Sequence, residues 1–220
     1  IEAAVEEGRG VFDNLTKFIV WTLPTNCGVA LILLSSIVLG FTLPALPVQL
    51  LWVNLTTTIF LGIMLVFEPK EDDLMQRKPR DPKLPILTPA LIVRIGLVSV
   101  VMLAGALWLF FGLKADGYSI AVARTAVINL VIIVEIGYLL NCRSLHRSVF
   151  SIGLFNNRPA IAGAIAMIGV QLFFTYSTLM HATFHTASID AVVWMRIAAV
   201  AILSFTIVEI EKWLRRTKRG

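Results

Sequence analysis

Charge is scarce in this chain. Only 15% of its 220 residues are Asp, Glu, Lys or Arg, whereas 57% are hydrophobic and the mean hydropathy is +0.83. A soluble domain carries roughly a quarter of its residues as charges, so this composition argues against a soluble globule and for a polytopic membrane protein. Cysteine is scarce too. Cys27 and Cys142 fall within or at the edge of apolar stretches at different depths, which argues against a disulfide or a thiolate metal pair. There are three histidines, and His181 and His185, though four apart, sit in a loop without a third ligand. The opening "IEAAVEEGRG" is acidic and polar and lacks the apolar core of a signal peptide, so it reads as the interior of a larger protein. The net charge of +5 comes from basic residues in loops and the tail beside apolar spans. That pattern fits a positive-inside bias rather than a nucleic-acid surface.

What the chain has in abundance is long apolar runs. A span needs about 20 apolar residues to cross a bilayer as a helix. Windows of that kind cover about residues 15–40, 46–67, 89–112, 120–142, 159–180 and 189–213. The predicted fold is therefore all-α, a six-transmembrane-helix bundle, with residues 1–14 as a cytoplasmic stalk end and 15–220 as the transmembrane domain. The breaks are chemically distinct. "GFTLPALP" is a tight uncharged turn, and "EPKEDDLMQRKPRDPKLP" is a charged, proline-punctuated loop that does not belong in lipid. One side of the membrane would hold Arg9, Lys17, Lys70, Arg77, Lys78, Arg80, Lys83, Arg143, Arg147, Arg158, Lys212, Arg215, Arg216, Lys218 and Arg219. The opposite loops hold only Lys114. This asymmetry predicts both termini on the cytoplasmic side.

Several polar residues interrupt the spans. Pro24 lies inside the first, where proline removes a backbone hydrogen bond and leaves the Val20 carbonyl without its donor. It is either a packing kink or a break opening onto a polar cavity, which the adjacent Asn26 favours, and the expectation is a first helix interrupted or bent there with Asn26 brought toward Asn54. In the second span Asn54, Thr57 and Thr58 stand at i, i+3 and i+4, on one predicted face of hard oxygen donors suited to cations. Threonines in lipid also bond their own backbone and join helices, so packing competes as an explanation. In the fourth span Glu135, with Asn129 and Asn141 on the same helix, is the one carboxylate placed at mid-membrane depth. It is expected to be protonated or paired with a cation, because an ionised carboxylate in hydrocarbon is costly. Arg94, Arg124 and Arg196 lie nearer span ends and read as snorkelling, structural side chains.

Three stretches together carry a resemblance. "VEEGRGVFDNLTKFI" resembles the stalk into the fifth membrane helix of P-type cation-transporting ATPases, "LPVQLLWVNLTTT" their sixth helix, and "FEPKEDDLMQRKPRDPKLPIL" the loop that follows. The calcium-pump-like subgroup is the one it is most similar to, and the resemblance runs essentially end to end. It implies membrane helices five to ten of a ten-helix pump, with the rest of the membrane helices, the cytoplasmic domains and the bilayer as partners. The family's phosphorylation motif DKTGT and its nucleotide-binding segments do not occur in these residues. ATP and Mg would therefore belong to the parent pump, and this stretch alone would be inactive. The resemblance maps the family's ion-binding asparagine of the fifth helix onto Asn26, and its companion glutamate onto Val29. On the sixth helix the asparagine matches Asn54, the threonine Thr57, and the aspartate is Thr58; on the eighth the glutamate matches Glu135. Two of three family carboxylates are thus replaced. A divalent cation leaves water only for several strong oxygen ligands, so this set suits a monovalent ion or a proton better. The competing reading is a non-transporting membrane scaffold or pseudo-pump that binds partner helices. A secondary transporter is disfavoured, because no inverted repeat is evident.

Overall fold

A computed structural model describes residues 2–71, 74–77, 79, 85–144 and 157–217, and among these the chain is helical without strands. Helix α1 covers Glu2–Leu39 and α2 covers Pro47–Thr57, continuing as a π-helical turn, Thr58–Gly62, and a 3-10 turn, Ile63–Phe67. The remaining helices are α3 (Pro89–Ala115), α4 (Ile120–Cys142), α5 (Arg158–Tyr176), the short α6 (Thr178–Phe184) and α7 (Ala191–Thr217). Six of these segments are long and apolar enough to cross a membrane, as the composition predicts. The stalk segment and the first span form one continuous helix.

Local chemistry sets several boundaries. Gly40 and Gly117 adopt positive φ just past α1 and α3. There Phe41 N–H returns to the Ser36 carbonyl and Tyr118 N–H to the Leu113 carbonyl, the six-to-one bonds of glycine-terminated helices. The Thr88, Ser119 and Asn157 side chains accept backbone N–H groups at the starts of α3, α4 and α5. At α7, Asp190 accepts the Val193 N–H at 2.9 Å and the Tyr118 hydroxyl at 2.8 Å, and these bonds hold its carboxyl below the usual aspartate value. The fifth span ends earlier than its hydropathy suggests. Ser177 is extended, and α6 takes up part of the expected loop, with His181 Nε2 2.9 Å from the Thr175 carbonyl oxygen.

Helix α4 is the axis of the bundle. It contacts each of the other five spans, and 61% of its apolar window is buried, against 39% or less for the others. That position explains why Thr125, Asn129, Glu135 and Asn141 are all buried. Asn129 Nδ2 donates to the Thr125 carbonyl at 2.8 Å and to Thr175 Oγ1 at 3.0 Å.

The stalk part of α1 and the last turns of α7 lie at one end of the bundle, and there the charges interlock. Arg9 donates to the Leu74 and Arg77 carbonyls, and Asn14 to those of Val66 and Glu68. Buried Glu68 accepts from Arg143 Nε at 3.0 Å and from Asn157 Nδ2 at 2.6 Å. Arg94 is buried against Glu211 at 2.8 Å rather than snorkelling freely. At the opposite end Arg124 donates to the Leu43 carbonyl, and Arg196 pairs with Asp116 at 2.6 Å. Lys78, Arg80, Lys83, Arg147, Lys218 and Arg219, which also carry the predicted charge asymmetry, lie outside the described residues.

Candidate ion-binding site

The site is built where α1, α2 and α4 meet. Glu135 is 3% exposed, and the Thr57 hydroxyl stands beside its carboxyl group. Thr57 also donates to the Val53 carbonyl at 2.9 Å, which fixes its rotamer. One carboxyl oxygen, Oε2, is buried without a hydrogen-bond partner among the described residues. Trp21 Nε1 on α1 donates to the Glu135 carbonyl at 3.1 Å, fastening the two helices at this level.

The expected interruption at Pro24 is absent: α1 is helical from Glu2 to Leu39 through the proline. The physical reason is on the neighbouring helices. Proline at 24 leaves the Val20 carbonyl without its N–H, and the Tyr138 hydroxyl on α4 fills that gap at 3.1 Å. The Pro24 carbonyl in turn accepts from Ser99 Oγ on α3 at 2.9 Å. A membrane helix tolerates proline where neighbours satisfy the freed groups, and here Tyr138 does so while Ser99 adds a second tie to the same turn. Sequence reading identified the orphaned carbonyl but not its donor. The available signal was spacing, since Tyr138 lies three residues after Glu135 and shares its helix face.

The predicted oxygen face of the second span is divided. Thr57 is buried against α4, but Asn54 and Thr58 are exposed on the outside of the six helices. Asn26 is likewise exposed, and no hydrogen bond joins it to Asn54. Helix α1 runs past Asn26 without a break, and Asn26 and Asn54 are both exposed. Structure therefore brings Thr57 and Glu135 together and leaves Asn26, Asn54 and Thr58 on the outer surface.

Sequence periodicity also gave no sign that α-helical geometry stops at Thr57. From Thr58 the backbone widens into a π turn and then tightens into a 3-10 turn, a distortion that recurs at functional sites in helices. Two glycines accommodate it. A Cβ on Gly62 would lie 2.8 Å from Phe18 and 2.9 Å from Trp21, and one on Gly163 would lie 2.1 Å from the Phe60 carbonyl oxygen. The π turn thus sits directly against the α5 backbone.

Comparison with known proteins decides the family. The family described as "Cation transporting ATPase, C-terminus" matches residues 42–214. The chain is a member of the P-type cation-transporting ATPase family. It is similar to a protein named probable cation-transporting ATPase F from Mycobacterium bovis, with 51% identity over 99% of this chain and 24% of that protein. Similarity extends to the cation-transporting ATPase pma1 of Synechocystis, 34% identical over 88% of the chain and 22% of that protein. A calcium-transporting ATPase of Bacillus subtilis is 30% identical over 92% of the chain and 23% of that protein. The P-type ATPase chain described here spans about a quarter of the length of these relatives. It corresponds to the carboxy-terminal membrane region of such ATPases.

Proposed function

We propose that this chain is the transport-side part of an ATP-driven cation pump and that Glu135 is the one essential membrane carboxylate of its ion site. The observation that carries the reading is the buried Glu135 carboxyl group beside Thr57, where the second span leaves α-helical geometry. A single enclosed carboxylate balances one positive charge, so a monovalent ion or a proton is the cargo rather than a fully caged divalent ion. Thr57 supplies a neutral oxygen beside it. Asn26, Asn54 and Thr58 contribute from the outer surface, where the remaining membrane helices of the pump would close over them. Their exposure in an otherwise apolar belt supports this, since an amide facing lipid is costly. Both termini would face the cytoplasm, and ATP and Mg would bind in the cytoplasmic domains of the whole pump, outside this chain.

The test is Glu135→Gln in the full-length protein. The substitution keeps shape and hydrogen-bonding capacity but removes the exchangeable charge. The expected outcome is loss of ion-stimulated ATP turnover, with the unfolding temperature in detergent unchanged. Wild-type ion-stimulated turnover across pH would make Glu135 a helix-packing contact instead.

A further inference from the structure

Arg124, near the start of α4, is half-buried, and its side chain reaches across to another element rather than away from the bundle. Its Nε donates to the Leu43 carbonyl, in the turn between α1 and α2, at 2.9 Å. That carbonyl offers an acceptor but no compensating charge, and among the described residues no carboxylate pairs with Arg124. The other charges at this end of the bundle are engaged elsewhere. Arg196 pairs with Asp116 at 2.6 Å, Asp190 accepts from Tyr118 and Val193, and Lys114 lies over the Phe110 ring. His181 is held at the Thr175 carbonyl, and His185 is exposed at the end of α6. A neutral glutamine could serve Leu43 equally well, so the charge on Arg124 is not accounted for by that bond.

Its position relative to Glu135 accounts for it. The two residues stand three full turns apart on α4, so they share one face, about 16 Å apart along the axis. Contacts agree with this. At Glu135 the helix meets Trp21 of α1 and Thr57 of α2, and at Arg124 it meets the turn that joins those two helices. Between the two levels the same three helices are closed by apolar side chains. Val29 and Ile32 of α1, Leu50 of α2, and Val127 and Val131 of α4 are buried around a gap with no room for a water molecule. A cation leaving Glu135 between these helices toward Leu43 would cross this apolar plug and then meet Arg124. We infer that Arg124 sets the direction of transport, as a fixed positive charge over the Leu43 end of the Glu135 site that opposes return of the released cation. The dry plug leaves the charge little screened on the side of Glu135. At an effective dielectric near 20, two unit charges about 16 Å apart change an equilibrium about fivefold. The inference rests on the cation-pump reading, with the Leu43 end facing away from the cytoplasm.

The test uses everted membrane vesicles carrying the full-length protein, in which only molecules with their nucleotide-binding side outward hydrolyse added ATP. Na⁺, K⁺ and H⁺ are first offered outside in turn. The one that stimulates ATP turnover of the parent is then raised inside the vesicles, with choline holding ionic strength constant. Arg124→Gln removes the charge but keeps an N–H for the Leu43 carbonyl. Its turnover should be half-inhibited at an internal cation concentration about fivefold lower than the parent requires. Arg124→Lys keeps the charge and should behave as the parent. Equal inhibition of Arg124→Gln and the parent would overturn the inference. So would an equal sensitisation in Arg124→Lys, which would assign the effect to the shape of the guanidinium rather than its charge. A parent that none of the three cations stimulates would overturn the pump reading and this inference with it. A stimulated parent with an unchanged Arg124→Gln variant overturns this inference alone, so the two failures are distinguishable.

Discussion

The two sides of the second span are made of similar residues and live in different surroundings. Its inner side, with Val53, Thr56, Thr57, Leu61 and Gly62, is buried among α1, α4 and α5. Its outer side alternates Leu51, Leu55 and Ile59 with Asn54 and Thr58, all exposed. Inside, each threonine hydroxyl is tied to a carbonyl one turn back: Thr56 to Trp52 at 2.7 Å and Thr57 to Val53 at 2.9 Å. The difference separates two jobs. The inner side fixes the carboxylate's neighbour in place, and the outer side offers neutral oxygens to whatever covers it. Substitutions on the inner side should therefore cost stability, and those on the outer side should cost binding alone.

The largest stability effect should come from Gly163→Ala. Alanine normally improves a helix interior over glycine by about 1 kcal/mol. Here the added Cβ would meet the Phe60 carbonyl oxygen at 2.1 Å, and the obstacle is backbone. The π turn or α5 must move, and overpacking of this kind costs roughly 1–3 kcal/mol. Thermal unfolding of the full-length protein in detergent should show a lowered transition. A raised one would mean that the π turn and α5 do not meet as closely as described.

Next is the proline gap in α1. Tyr138→Phe removes the hydroxyl that serves the Val20 carbonyl and leaves a buried acceptor unpaired, at a cost of about 1–3 kcal/mol. Pro24→Ala restores an N–H at position 24, so in that background Tyr138→Phe should cost much less. The pair should be strongly coupled in a double-mutant cycle. Additive losses would show that Tyr138 acts elsewhere than on the Val20 carbonyl.

These particulars show what could be read from the sequence. The six spans were legible because hydropathy over a 20-residue window reports burial in lipid without reference to neighbours. The buried Glu135 was legible for the same reason, since a lone carboxylate in such a window is conspicuous. The outcome at Pro24 was not, because it depended on where Tyr138 and Ser99 fall in three dimensions. The oxygen stripe was half legible. Helical spacing puts Thr57 and Thr58 about 100° apart, so the edge of a buried face can pass between them, and only the packed neighbours decide on which side each lies. The π turn left no periodic trace, since it follows from Gly62 and Gly163 yielding to neighbours remote in sequence.

The smallest stability effect belongs to the outer side, and it is the sharpest discriminator. Asn54→Ala and Thr58→Ala each remove a polar group from an exposed position that makes no buried contact. Surface changes of this sort stay within about 0.5 kcal/mol. If Asn54 and Thr58 were only packing residues of these six helices, neither change would be felt in any assay. If they belong to the ion site, each removes one neutral ligand, and apparent ion affinity in the full-length protein should fall about fivefold to tenfold, a loss of about 1 kcal/mol per hydrogen-bond-class contact. Titration of ATP turnover against the transported ion gives that number, and unfolding in detergent gives the stability beside it. A shifted affinity with unshifted stability would confine Asn54 and Thr58 to binding. Unchanged affinity in both variants would remove the outer side from the site and leave Thr57 and Glu135 as its residues within this chain.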